Sequence, residues 1–380
     1  MRPWQLALGG ALVVLLWQWA TVQANYGGNW TALFCTGALQ KHPPLDASEH
    51  VYLFARSTGF DGQFYHYIAH DPLLRSDLKN YVDDPRLRYH RILLPFLAYA
   101  LALGHSSLID RAYELVFLFS VGLGVFWSCL FAQSTGLAAA WGLLFLAMPA
   151  IPITMDRLVV DGLLAVLTAA FLYYSRRSPS WKLFLVLSCA ALTRETGFLL
   201  VLAYCIYLAW RREFQMACVF LLSAAPALAW FGYVQAKTRA MPYPYSMIPF
   251  SAIVRVLGHP WKYPPGTPFA GAVVVADYLA LAGVLLAFGF AFLWLSRAPA
   301  DPLLICAALF AALAVVFQRP DHWQNVYDFG RVYTPVLLCL SGVAATARNP
   351  WLLLPVALML PRIAIQITPQ VLGVIHWIKI

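Results

Sequence analysis

The sequence predicts an all-α polytopic membrane protein of about 10–12 transmembrane or half-spanning helices, and three observations point there. Of 380 residues, 61% are hydrophobic and only 11% charged, with a mean hydropathy of +0.67; soluble domains are about a quarter charged. Apolar runs of roughly 18 or more residues recur along the whole length. Short basic turns punctuate them, among them Arg176-Arg177 and Arg211-Arg212, the pattern of cytoplasmic loops under the positive-inside rule. The net charge of +9 lies mostly in such turns, so it reads as topology and not as a nucleic-acid surface. Of the seven cysteines only Cys35 lies clearly in a polar segment. The others sit in apolar spans, which argues against a disulfide framework or zinc-ligand spacing among them.

The elements follow in order. Residues 4–22 form a first span behind Arg2. Val22 to Ala24 faintly resembles a signal-peptidase site, but the long, Trp-rich run favours an uncleaved anchor. Residues 23–91 form an exported segment, in which Phe60, Phe64, Tyr67 and Ile68 recur at helical spacing and predict a short interfacial helix. Asn29-Trp30-Thr31 is a glycosylation tripeptide of a kind common by chance. The apolar stretch 92–104 is about 20 Å long as a helix, short for a crossing. Spans follow at 112–132, 137–154 and 158–174, the last ending on the basic Arg176, Arg177 and Lys182. The apolar region 181–210 is broken by Thr193 to Gly197 and basic at both ends, which predicts two short helices meeting at a polar tip that faces the exported side. Further spans are expected at 215–234, 271–296, 302–317 and 331–346, with an exported Pro- and Tyr-rich loop over 235–270, another over 318–331, and a final apolar stretch. Counting back from a cytoplasmic Arg176, the exported first segment fits only if one early segment fails to cross, and 92–104 is the candidate. The whole chain, 1–380, reads as a single domain without internal repeats, a Gly-rich phosphate loop or a Walker motif.

The chemistry-bearing residues are few. Asp61 has two readings. At the edge of low dielectric its basicity would rise, which suits a general base on a hydroxyl; alternatively it caps the helix that follows. His66 and His70 share one helix face and, with Asp61 or Asp71, could hold a divalent metal, or they are polar-face residues. Arg86, Arg88, His90 and Arg91 either bind phosphate through their guanidinium forks or anchor the chain against anionic headgroups. Asp156-Arg157, Asp161 and Arg194-Glu195 interrupt apolar regions, where charges pair and face cavities. Asp321, His322, Asp328 and Arg331 lie in a late exported loop. Gln63, Tyr65, His66, Asp71, Asp84, Asp156, Arg157, Glu195, His322 and Arg331 are the candidates for lining a cavity.

Three of these features resemble the GT-C superfamily of integral membrane glycosyltransferases, in particular bacterial relatives of protein mannosyltransferases and aminoarabinose transferases. They are the early acid in Gly59 to Ala69, the basic-to-apolar transition Arg88 to Pro95, and the tip Ala190 to Gly197. The resemblance implies a GT-C-like fold in a bacterial inner membrane, with the site on the periplasmic side. It implies a polyprenyl-phosphate sugar as donor and a glycan, lipid or protein hydroxyl as acceptor. It places Asp61 as catalytic base, with Arg88, His90, Arg91 and Arg194 on the donor phosphate. Some relatives use a divalent metal. Many relatives carry a second acid beside the first, where this chain has Gly62; Asp71, Asp83 and Asp84 are the substitutes at hand. A large soluble C-terminal domain, frequent among relatives, is not expected here, which leaves room for a protein partner. Two other classes share intramembrane charges: a transporter or flippase, and a non-catalytic subunit of an envelope assembly.

Overall fold

The structure is a computed structural model that describes residues 1–239, 248–259, 262–263, 269–317 and 320–379. It is all-α and polytopic. Helix α1 (Pro3–Tyr26) opens with proline in its first turn and ends on Gly27 in the left-handed conformation, as helix termini favour. A cap layer follows, built from α2 (Pro44–Ser48), α3 (Gly62–His70) and α4 (Pro85–His90), with one two-residue parallel pairing of Thr36-Gly37 with Leu53-Phe54. Then come α5 (Leu93–Leu101), α6 (Ser106–Ser134), a 3₁₀ segment at Ala139–Ala147, α7 (Ala150–Arg157), α8 (Asp161–Tyr174), α9 (Trp181–Thr193) and α10 (Phe198–Trp210). The second half contains α11 (Phe214–Leu221), α12 (Ala225–Lys237), α13 (Ser251–Gly258), α14 (Ala270–Arg297) and α15 (Pro302–Ala312). It closes with α16 (Pro320–Gln324), α17 (Val326–Val332), α18 (Thr334–Ala347) and α19 (Leu354–Ile378).

Among the described residues, five helical stretches are long and apolar enough to cross a bilayer: 3–26, 106–134, 214–237, 270–297 and 350–378. Two bent pairs raise the number to as many as seven if each is one broken span, the 3₁₀ segment with α7 at 56° and α17 with α18 at 55°. Four shorter apolar helices fill in between, at 161–174, 181–193, 195–210 and 302–315. Exposed Leu, Phe and Trp side chains such as Leu8, Leu12, Phe119, Leu228 and Phe292 cover the outside, the arrangement of a bundle solvated by lipid rather than water.

Length bears on which early segment fails to cross. Helix α5 has only nine residues, about 13 Å, and stops at Leu101 well short of a crossing. With α5 confined to one side, the basic turns fall together. Arg176 ion-pairs with Asp301, and Arg348 Nη2 donates to the Thr135 carbonyl at 2.8 Å. The turns after α6, α8 and α18 therefore share one end of the bundle. The cap layer, the Arg194 tip and the start of α8 share the other.

Helix α3 forms where the aromatic spacing places it, but not at an interface. Every residue from Gly62 to Ala69 is buried. Its aromatic and aliphatic side chains point in several directions, so both faces are enclosed by the cap layer, α5 and α6. The hairpin α9–α10 matches the expectation of two short helices. Arg194 breaks them in an extended conformation (φ −161°, ψ 149°). Gly197 sits where any Cβ would enter the shell of the Ala190 carbonyl, so only glycine lets the two arms close this tightly. The loop expected over 235–270 falls partly outside the described residues, as do 318 and 319 of the later loop.

Candidate functional site

Five chain segments converge on one polar network at the end of the bundle away from the basic turns. Its centre is Asp61, the residue before α3. Arg88 of α4 donates from Nη2 to Asp61 Oδ1 at 2.8 Å, and Arg331 of α17 places Nη2 2.6 Å from Asp61 Oδ2. Arg88 also grips Asp83 through Nε and Nη2, at 2.9 and 2.8 Å. Arg331 continues to Asp161 at 3.3 Å and Asp328 at 3.2 Å. Asp161, at the start of α8, ion-pairs in turn with Arg194 of the hairpin tip. Next to it Glu195 receives a bidentate grip from Arg91 Nε and Nη2, at 2.9 and 2.6 Å, while Arg91 Nη1 donates to the Tyr65 hydroxyl at 3.0 Å.

The alternation of charge explains why so many ionic groups are tolerated here. Asp161, Arg194 and Arg331 have side chains 1%, 3% and 5% exposed. Each would be costly alone and is acceptable only in close pairs. The four guanidinium groups face Asp61, Asp83, Asp161, Glu195 and Asp328.

This pairing corrects the expectation for Asp61. Burial does raise its pKa, but Arg331 and Arg88 outweigh burial and hold the carboxyl well below the usual carboxylate value. The resting Asp61 is therefore a clamped, weak base. It is not a helix cap either, since its side chain accepts no hydrogen bond from the start of α3. Nor is there room for a second acid beside it: a Cβ on Gly62 would collide with the carbonyl oxygens of Arg157 and Phe34. Gly62→Ala must push α3 and with it Asp61 out of register. We expect it to lower both thermal stability and any activity that needs Asp61, and an unchanged melting midpoint would show that the backbone contact yields.

The other sequence candidates separate. Arg88, Arg91, Arg194, Tyr65, Glu195 and Arg331 belong to the network. His90 does not: it stacks on Phe231 at 3.8 Å, and burial lowers its pKa. Asp71 accepts from the Arg75 and Ser76 amides and the Ser76 hydroxyl, and Asp84 caps α4 through the Leu87 amide. Gln63 ties Gly37 to Thr58. These three make their hydrogen bonds within the cap layer, apart from the arginine network. Of the other acids offered in place of Gly62, Asp83 alone reaches the network, and it does so through Arg88. His322 packs on Phe317 at 4.8 Å. Arg86 donates to the Thr238 carbonyl at 2.7 Å.

Asp156 and Arg157 form a neighbouring cluster. Arg157 Nε is 3.1 Å from Asp156, Gln370 donates to Asp156 at 3.1 Å, and Arg157 Nη1 reaches Cys35 Sγ at 2.6 Å. Phe60 joins the two clusters, with the Arg331 and Arg157 guanidinium carbons 4.9 and 5.8 Å from its ring centre, within cation–π range.

His66 and His70 do converge on carboxylates, but on Glu49 and Asp110 and not on Asp61 or Asp71. Burial would lower the His66 pKa, yet Asp110 and Glu49 outweigh it and push it up to about 10. The sequence signal for His66 and His70 was their four-residue spacing. Glu49 and Asp110, distant in sequence and brought to them by folding, had none, and Phe60 was raised only as part of the helical spacing around α3.

The fold and site define a class: a polytopic helical membrane protein with a buried acid–arginine network at one end of its bundle. No family model, no curated protein and no solved structure matches this chain.

Proposed function

We propose that this protein is a membrane glycosyltransferase that moves a sugar from a polyprenyl-phosphate donor to an acceptor hydroxyl, with inversion at the anomeric carbon. The observation that carries this reading is the seat of Asp61 between Arg88 and Arg331. A carboxylate and paired guanidinium groups are what in-line transfer from a phosphate ester requires: a base for the incoming hydroxyl and cations for the outgoing phosphate. The positive-inside rule puts the basic turns in the cytoplasm and this network on the exoplasmic side, which in a bacterial inner membrane is the periplasm. The acceptor is a glycan, lipid or protein hydroxyl.

The resting geometry adds a coupling between donor and base. Every arginine of the network already holds a carboxylate, so a donor phosphate must compete for Arg88 and Arg331. As it takes them, Asp61 loses the charges that depress its pKa and becomes a stronger base. Asp61 then removes the acceptor hydroxyl proton, the hydroxyl oxygen bonds to the anomeric carbon, and the bond from that carbon to the phosphate oxygen breaks. The polyprenyl phosphate leaves with the electron pair, its added charge held by Arg88, Arg331 and the adjacent Arg91 and Arg194.

Two measurements test this. Purified protein in proteoliposomes, offered a panel of polyprenyl-phosphate sugars and envelope acceptors, is expected to transfer one of them. Transfer from none would sink the reading in favour of a transporter or an assembly subunit. The pH profiles then separate the two states of the base. The free protein holds Asp61 ionised far below neutrality, so kcat/KM should show no acid limb from it between about pH 5 and 8, whereas kcat, which reports the donor-loaded protein, should show a limb at higher pH. Coincident limbs in both would refute the unclamping step.

A further inference from the structure

We propose that Glu49, His66, His70 and Asp110 form a binding site for one divalent transition-metal ion of the zinc class, which fastens the cap layer to the membrane bundle. The four ligand atoms all lie within 4.8 Å of one another. His66 Nε2 is 2.9 Å from Asp110 Oδ1 and 3.5 Å from Glu49 Oε2. His70 Nε2 is 3.4 Å from Glu49 Oε2 and 3.5 Å from Asp110 Oδ1. A tetrahedron with ligand bonds near 2.0–2.1 Å has edges of about 3.3–3.4 Å, so three of the six edges are already close to those of a zinc site and the His66–Asp110 edge, at 2.9 Å, needs to open slightly.

The polar atoms are committed to nothing else. Both Nε2 atoms, Glu49 Oε2 and Asp110 Oδ1 are buried without a hydrogen-bond partner of good geometry, a state buried polar groups rarely keep. The histidine side chains are 0% and 3% exposed. Glu49 and Asp110, at 15% and 24%, leave an edge through which an ion can enter.

The surroundings orient the ligands as metal sites require. The Ser106 hydroxyl gives its single proton to Glu49 Oε1 at 2.7 Å. His70 Nδ1 lies 3.1 Å from the Ser106 hydroxyl oxygen, which has no second proton to give, so Nδ1 must donate to it. That tautomer leaves the lone pair of His70 on Nε2, pointing into the cluster. Phe34 stacks on the His66 ring at 4.4 Å and fixes its plane. Two imidazoles with two carboxylates select a zinc-class ion over calcium or magnesium, which prefer all-oxygen shells.

The ion's consequence is positional. It joins the 49–50 turn, α3 and the first turn of α6, and α3 carries Tyr65 and follows directly from Asp61. The site shares no residue with the arginine network, and its test does not depend on sugar transfer. Protein purified without chelators is expected to carry about one zinc-class ion per chain by mass spectrometric metal analysis, falling at least five-fold in His70→Ala and in Asp110→Asn. Wild type stripped by chelator and given Zn²⁺ alone should regain that equivalent, with a rise in melting midpoint. Ser106→Ala touches no ligand atom and should keep the fold while weakening Zn²⁺ binding about 10–100-fold. Stripped wild type that takes up no Zn²⁺, or unchanged metal content in folded variants, would overturn the site. Should a ligand variant fail to fold, the reloaded wild type and Ser106→Ala decide between these outcomes.

Discussion

Asp61→Asn is expected to reduce sugar transfer by about 10²–10⁴-fold, the range for losing a general base, and to leave the protein folded. The two halves of that expectation come from the same contacts. Asparagine keeps the volume of the aspartate but cannot take the hydroxyl proton. Its neighbours do not become stranded: Arg88 retains its bidentate hold on Asp83, and Arg331 retains Asp161 and Asp328. The variant should also bind the donor at least as tightly as wild type, because Arg88 and Arg331 no longer have to be pulled from a carboxylate. The result to look for is therefore a split, kcat lost and donor affinity kept or improved. Equal turnover in both proteins would remove Asp61 as the base. A loss confined to donor affinity would recast it as a binding residue.

Asp161→Asn should have the largest effect on stability. Asp161 stands between Arg194 and Arg331, and all three are buried. Removing the carboxylate that bridges them leaves two guanidinium groups facing each other in low dielectric, with Arg194 keeping only the longer contact to Glu195 at 3.6 Å. Breaking a buried pair from one side costs about 3–5 kcal/mol, a large part of the stability of most domains. The melting midpoint in detergent should fall steeply. Adding Arg194→Gln should recover part of the loss, since Arg331 still has Asp61 and Asp328 while the stranded cation is gone. Additive losses in that double-mutant cycle would show the three groups to be uncoupled.

Much of this architecture was legible in the chain. Apolar run length and basic turns carry topology directly, because lipid leaves a helix no alternative to internal hydrogen bonding. The same logic located the break at Thr193 to Gly197 and singled out 92–104 as too short to cross. The site was legible only as a set of suspects. Asp61, Arg88, Arg91, Arg194 and Arg331 are charged residues at membrane edges, which is enough to raise each one. Nothing in the spacing says that Arg331 lies on Asp61, 270 positions away, or that His90, one residue before Arg91, turns aside to stack on Phe231.

The sequence by itself determined the class of solvent this protein lives in, its helical content and the end of the bundle where charge collects, since these follow from local composition and the cost of exposing a backbone to lipid. Only the tertiary structure decided what the charges do to one another. Basicity and metal affinity depend on distances between side chains far apart in the chain. Packing made Asp61 a clamped carboxylate instead of a strong base, and it brought Glu49 and Asp110 to two histidines whose spacing named no partner.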